Sequence, residues 1–194
     1  MSAAAAMMDV VATHTSTLVG RDRELDEVLA WVRSDDVTGV LLAGDAGVGK
    51  TRLVTEARSR LVAEGHRVVV GHCLDLGDTA PSYLPFSEVL GQLATELPDT
   101  VSAVAGHHPA LSRLQPGRRM LSAEGAETVG VERSDLFAAV HALLEEAALV
   151  APLVLVVEDT HWADQSTRDM LSFLFTRPFA VSYTHLTLPT ICSV

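Results

Sequence analysis

The chain has 194 residues, 48% of them hydrophobic and 20% charged, with a net charge of −11 and a pI near 5.0. This is enough apolar material for one soluble globular domain with a substantial core, and it excludes a disordered chain. The acidic balance argues against a segment that itself grips a phosphodiester backbone, and no apolar run reaches the roughly eighteen residues of a membrane span.

Residues 1–16 are Ala-rich and unpatterned and are expected to form a disordered leader. Met1–Val11 lacks the basic start of a signal peptide, so the expected location is the cytoplasm. From Thr17 the character changes: Leu25, Val28, Leu29 and Val32 recur at helical spacing, which predicts an amphipathic helix. The apolar run Val40-Leu41-Leu42-Ala43 then reads as a strand. After Gly44–Thr51 a second helix carries Leu53, Val54, Ala57 and Leu61 on one face and is closed by Gly65. His66–Gly71 is a second strand, and this strand-helix-strand opening implies a parallel sheet covered by helices.

Between Cys73 and Arg133 prolines 81, 85, 98, 109 and 116 divide short helical pieces, with Ser87–Leu97 the best formed. Ser134 is placed to cap a helix whose face carries Leu136, Phe137, Val140, Leu143, Leu144 and Ala147. Leu153–Val157 is a continuous apolar run, the pattern of a strand buried on both faces, and it ends in Glu158 and Asp159. Cys73 and Cys192 are too few for a disulfide framework and have no metal-ligand spacing.

Two constellations carry chemistry. Gly44-Asp45-Ala46-Gly47-Val48-Gly49-Lys50-Thr51 is a complete G-x-x-x-x-G-K-[ST] phosphate-binding loop. A triphosphate is best met by converging backbone N–H groups, which Gly-rich backbone presents without Cβ clashes; Lys50 adds charge for the β- and γ-phosphates and the Thr51 hydroxyl is placed to ligate Mg²⁺. The helix that follows turns its positive dipole end toward the anion. The second constellation is Glu158-Asp159. Carboxylates at the carboxyl end of a buried strand lie on the edge where α/β sheets bind ligands, where one can hold Mg²⁺ and its neighbour polarise the attacking water.

Leu18-Val19-Gly20-Arg21 with Glu24-Leu25, the Gly44–Thr51 loop, Tyr83-Leu84-Pro85-Phe86, and Val156-Val157-Glu158-Asp159-Thr160-His161-Trp162-Ala163-Asp164 together resemble the origin-recognition-like AAA ATPase domain of large bacterial regulators. The likeness is closest to ATP-binding LuxR-type transcription factors and related STAND NTPases, over about Leu18 to Pro178. It implies a three-layer αβα P-loop NTPase fold of the AAA/ASCE type with a parallel sheet, and ATP with Mg²⁺ as ligands. It also makes Val19, Gly20 and Arg21 candidate contacts of the adenine and sugar, although the Gly20-Arg21 pair could simply lead into the first helix. The commoner acid order in AAA proteins is Asp then Glu. Here Glu158 comes first, so matching by position gives Glu158 to the metal and matching by type gives Asp159. Trp162 can equally pack against the sheet end, and Asp164 can cap the next helix.

Residues 181–194 carry no Asp, Glu, Lys or Arg, unlike the charge-rich chain before them. Val-Ser-Tyr-Thr-His-Leu resembles translated adapter read-through at broken contig ends, so the tail is set apart as non-native. The other reading is a Thr-rich strand, which the alternation around Tyr183, His185 and Thr187 supports. With the tail excluded, the resemblance implies that residues 17–180 are the N-terminal part of a P-loop AAA-type domain, incomplete because the family's sensor strand, which lies between the first and third strands, would be missing. The resulting expectation is a poorly soluble or molten fragment.

The function expected of the parent is that of an ATP-binding, hydrolysing switch domain in a multidomain LuxR-type transcriptional regulator. Its expected partners are ATP and, in the parent, other proteins or further copies, with DNA reached only through a domain absent from this chain. Turnover needs a sensor residue and an arginine finger that are not visible here, so the fragment is expected to bind without necessarily hydrolysing. The alternative is a non-catalytic scaffold holding nucleotide as a structural ligand; a small-molecule kinase fits the motifs less well.

Overall fold

The computed structural model describes residues 20–34, 39–45, 47–75, 77, 81–114 and 133–177, together with the backbone of 183–187. The expected leader, residues 1–16, lies outside the described residues. Helix α1, Asp22–Val32, buries Leu25, Val28, Leu29 and Val32, the face its spacing predicts. Strand β1, Gly39–Leu41, leads through the glycine loop into helix α2, Lys50–Ala63, which buries Leu53, Val54, Ala57 and Leu61. Gly65 ends α2 as expected: its N–H donates to the Val62 carbonyl at 3.1 Å and the next N–H, of His66, to Leu61 at 2.9 Å.

Strand β2 is Arg67–His72, one residue later than expected, so that His72 belongs to the strand. Helix α3 runs Leu84–Glu96 and starts earlier than expected because Pro85 sits in its first turn, where a missing N–H costs nothing. Pro98 likewise opens helix α4, Pro98–His107, and Pro109 opens a 3-10 turn to Leu114. These prolines begin elements where composition alone reads them as breaks. Helix α5, Arg133–Val150, buries the predicted face. It begins before Ser134, which therefore lies in the first turn and is not the cap residue. Strand β3, Leu153–Glu158, a 3-10 turn Thr160–Trp162 and helix α6, Gln165–Thr176, follow.

The sheet is parallel with order β1-β4-β3-β2, where β4 is Tyr183–Thr187. The backbone of residues 183–187 therefore fills the slot between β1 and β3 that was expected to be empty. His185 pairs with Gly39 on one side and Leu155 on the other. The physical reason is that a ladder uses only backbone N–H and C=O groups, and Tyr-Thr-His-Leu-Thr has good strand propensity. With β4 in the slot, β1 and β3 are both paired.

Alternation along the strands builds two cores. Leu153, Leu155 and Val157 of β3, with Val69 of β2, face α3, α4, α5 and α6; Val154 and Val156, with Val40, Val68 and Val70, face α1 and α2. A strand covered on both sides must be apolar at every position, as Leu153–Val157 is. Each of these aliphatic side chains contributes roughly 1.5–3 kcal/mol by leaving water. At Gly71 the fold needs the absent side chain: a Cβ there would lie 2.5 Å from the Pro85 carbonyl oxygen and 2.7 Å from its Cα.

Candidate functional site

In a parallel sheet the carboxyl ends of all strands share one edge, so the glycine loop after β1 and the acids ending β3 open on the same side. One strand, β4, separates them, which spaces the two strand axes by about 10 Å. Open α/β sheets bind ligands at this edge.

The loop takes its shape from Gly47 and Gly49, whose φ angles of 79° and 89° lie in the left-handed region that a Cβ disfavours. Gly49 is the N-cap of α2, no side chain caps that end, and its carbonyl accepts the first helical bond from Leu53 N–H at 3.0 Å. Lys50 turns back into the loop: Nζ donates to the Gly44 carbonyl at 2.6 Å and to the Asp45 carbonyl at 2.8 Å. The ammonium therefore lies within the curve drawn by Gly44–Gly49, as a phosphate-binding lysine must. Thr51 is in the first turn of α2, exposed on the same side of the fold as the loop. Asp45 and Val48 belong to the described loop, whereas Ala46 and Val19 lie outside the described residues. Gly20 and Arg21 lead into α1, and the Arg21 carbonyl accepts Leu25 N–H at 3.1 Å.

Glu158 is the last residue of β3 and its side chain is 17% exposed. Burial pushes its carboxyl above the usual carboxylate range; His72 opposes that shift and Asp159 adds to it. Asp159 adopts a left-handed conformation with φ 55°, which Asp tolerates better than most residues, and its carbonyl accepts Trp162 N–H at 2.9 Å. Thus the two acids have different settings, one at a strand end and one in a tight turn. A desolvated carboxyl beside a second acid is suited to a cation, which would restore its ionised form; this is how the residues fit Mg²⁺.

His72 and Glu88 were not singled out by the sequence. His72 Nδ1 lies 2.9 Å from Glu88 Oε2, which also accepts His72 N–H at 2.8 Å, and His72 Nε2 lies 3.9 Å from Glu158 Oε2. Only the β2–β3 register, which pairs His72 with Glu158, brings them together. A polar residue at the carboxyl end of a predicted parallel strand was the available signal.

Asp164 and Trp162 follow the paired acids. Asp164 caps α6, its carboxylate accepting from Ser166 N–H at 3.1 Å and Thr167 N–H at 3.2 Å. Trp162 is 45% exposed, contacts the His161 ring at 4.7 Å between centroids, and lines a small crevice with Cys73, Leu74 and Pro85 at the sheet end.

The family model described as AAA ATPase domain matches residues 17–188, from before α1 through β4. The chain belongs to the AAA ATPase domain family. AAA ATPase domains generally bind ATP with Mg²⁺, the chemistry that the loop and the paired acids suit. An uncharacterized protein of Rhizobium meliloti (strain 1021) is 31% identical to this AAA ATPase domain over 79% of the chain. The chain spans 16% of that relative's length. Among the described residues, no helix is long and apolar enough to cross a membrane.

Proposed function

We propose that this domain binds ATP with Mg²⁺ at Gly44–Thr51 and Glu158–Asp159, and hydrolyses it slowly as a regulatory switch of a larger cytoplasmic regulator. The observation that carries this reading is Lys50 Nζ, held by the Gly44 and Asp45 carbonyls inside the glycine loop on the sheet edge that also bears Glu158. Backbone N–H groups of Gly47–Lys50 and the Lys50 ammonium would hold the phosphates, and Thr51 with one of the two acids would hold the metal. The metal supplies charge neutralisation at the phosphate oxygens. The other acid of the pair would orient the attacking water. Gly20 and Arg21, with Val19, complete the nucleotide's surroundings from the α1 side.

The likeness to LuxR-type regulators supports a transcriptional context, in which ATP shifts the domain between two arrangements and DNA is bound by another part of the protein. Titration of labelled ATP against the full-length protein and its Lys50→Ala form tests the site. Weakening on the order of tenfold or more is expected; equal affinity would reject the role of Lys50. Binding without Mg²⁺-dependent phosphate release, even on assembly, would favour the scaffold reading.

A further inference from the structure

Strand β2 is the edge of the sheet, yet its outward side is occupied. In the parallel ladder Arg67 N–H bonds to the Pro152 carbonyl and Cys73 N–H to the Glu158 carbonyl, so the backbone groups of the even-numbered residues Val68, Val70 and His72 point away from β3. The Gln92 side chain meets both groups of Val70: Oε1 accepts its N–H at 3.0 Å and Nε2 donates to its carbonyl at 2.5 Å. A side-chain amide here takes the place of a neighbouring strand's peptide. Glu88 Oε2 accepts His72 N–H at 2.8 Å, and Arg67 Nη1 donates to Glu96 Oε2 at 3.0 Å.

The three helix residues are four apart, and their partners descend β2 as they climb α3. From Glu88 to Gln92 the helix rises about 6 Å while their partners His72 and Val70 lie about 6.6 Å apart along the strand, so this step is matched, and Glu96 is reached by the longer Arg67 side chain. An open surface groove of about 490 Å³ beside this seam is lined by His72, Glu88, Gly91, Gln92, Thr95 and Glu96. The strand they cover reads Arg-Val-Val-Val-Gly-His, a β-branched run with no proline and no acid, well suited to pair with an identical strand.

We propose that α3 is an edge guard: Gln92 and Glu88 occupy the outward hydrogen-bonding groups of β2 that would otherwise pair with β2 of a second copy of this chain. Glu88 and Glu96 add like charge to two approaching edges, a further deterrent. Displacement of α3, and not a new surface, would then open the domain to edge-to-edge self-association.

Amide exchange followed by NMR on the full chain tests this. In the unaltered protein the Val70 amide should be protected like its inward neighbour Val69. Gln92→Leu should speed Val70 exchange on the order of tenfold and leave Val69 unchanged. In the Glu88→Ala/Gln92→Leu/Glu96→Ala protein, sedimentation should show concentration-dependent dimers, and protection of Val70 and His72 should return as concentration rises. Val70 exchange indifferent to Gln92→Leu, or freed amides that gain no protection at high concentration, would overturn the proposal. If the triple variant loses Val69 protection and so has unfolded, the single Gln92→Leu protein carries both readouts.

Discussion

His72 of β2 stands opposite Glu158 of β3 in the parallel register, its Nε2 3.9 Å from Glu158 Oε2 while its Nδ1 faces Glu88 at 2.9 Å. An imidazole held on one side by a carboxylate has a fixed orientation toward whatever lies on the other. His72→Ala is therefore expected to lower the kcat of ATP hydrolysis in the full-length protein on the order of tenfold, about 1.4 kcal/mol, with little change in KM. Glu88→Ala should produce a smaller change in the same direction. A rise in KM with unchanged kcat would place His72 in nucleotide binding.

Glu158 also makes stability depend on pH. Its carboxyl is raised by burial, so the folded state holds the proton more tightly than the unfolded state does. The favourable contribution is complete below the ordinary carboxylate value near 4.5 and is lost as pH rises through the raised one. Glu158→Gln should accordingly show a higher Tm than the unaltered protein at pH 7, measured without nucleotide or metal, with the difference vanishing below about pH 4.

Gly71 and Gly91 make a paired test of packing. A methyl group at Gly71 meets the Pro85 backbone at 2.5 Å, and backbone cannot rotate aside as a side chain can. Gly71→Ala should destabilise by roughly 2–3 kcal/mol or more in urea unfolding. At Gly91 in α3 a Cβ meets nothing within 4 Å, so Gly91→Ala should stabilise by about 0.5–1 kcal/mol.

Cys73 should resist alkylation. Burial first, then the charges of Asp164, Asp159 and Glu88, push its thiol from an ordinary value of 9.0 up to about 12. At pH 8.5 that leaves about a thousandfold less thiolate than a free cysteine has. Peptide mapping after iodoacetamide treatment should find Cys73 unmodified in the folded protein and fully labelled in denaturant. Above pH 9 the unfolded thiol ionises and the folded one does not, so stability should fall further as pH rises toward 12.

Local chemistry was largely legible in the sequence. The buried faces of α1, α2 and α5 follow apolar spacing, Gly65 terminates α2, and the Leu153–Val157 run is covered on both sides. The phosphate loop is local as well, because its residues are contiguous and its backbone is shaped by its own glycines. What was not legible depends on partners distant in the chain. His72 gains meaning only from its register with Glu158, and Gln92 only from lying against the open side of Val70. The prolines misled because the same residue that breaks a helix interior is welcome in a first turn, as Pro85 and Pro98 show. Residues 183–187 take the strand reading that their alternation supported; composition set them apart because it describes side chains, while the ladder that holds β4 is made by the backbone.

The central place of β4 has a consequence for how the domain is made. Synthesis delivers β1, β2 and β3 before Tyr183–Thr187, yet among the described strands the backbone ladder of the first reaches the others through that segment. While residue 187 is still inside the ribosome, no hydrogen-bonded ladder spans the loop that follows β1 and the acids that end β3. Assembly of the nucleotide edge is therefore a late, long-range event, the kind that loop-closure entropy makes slow.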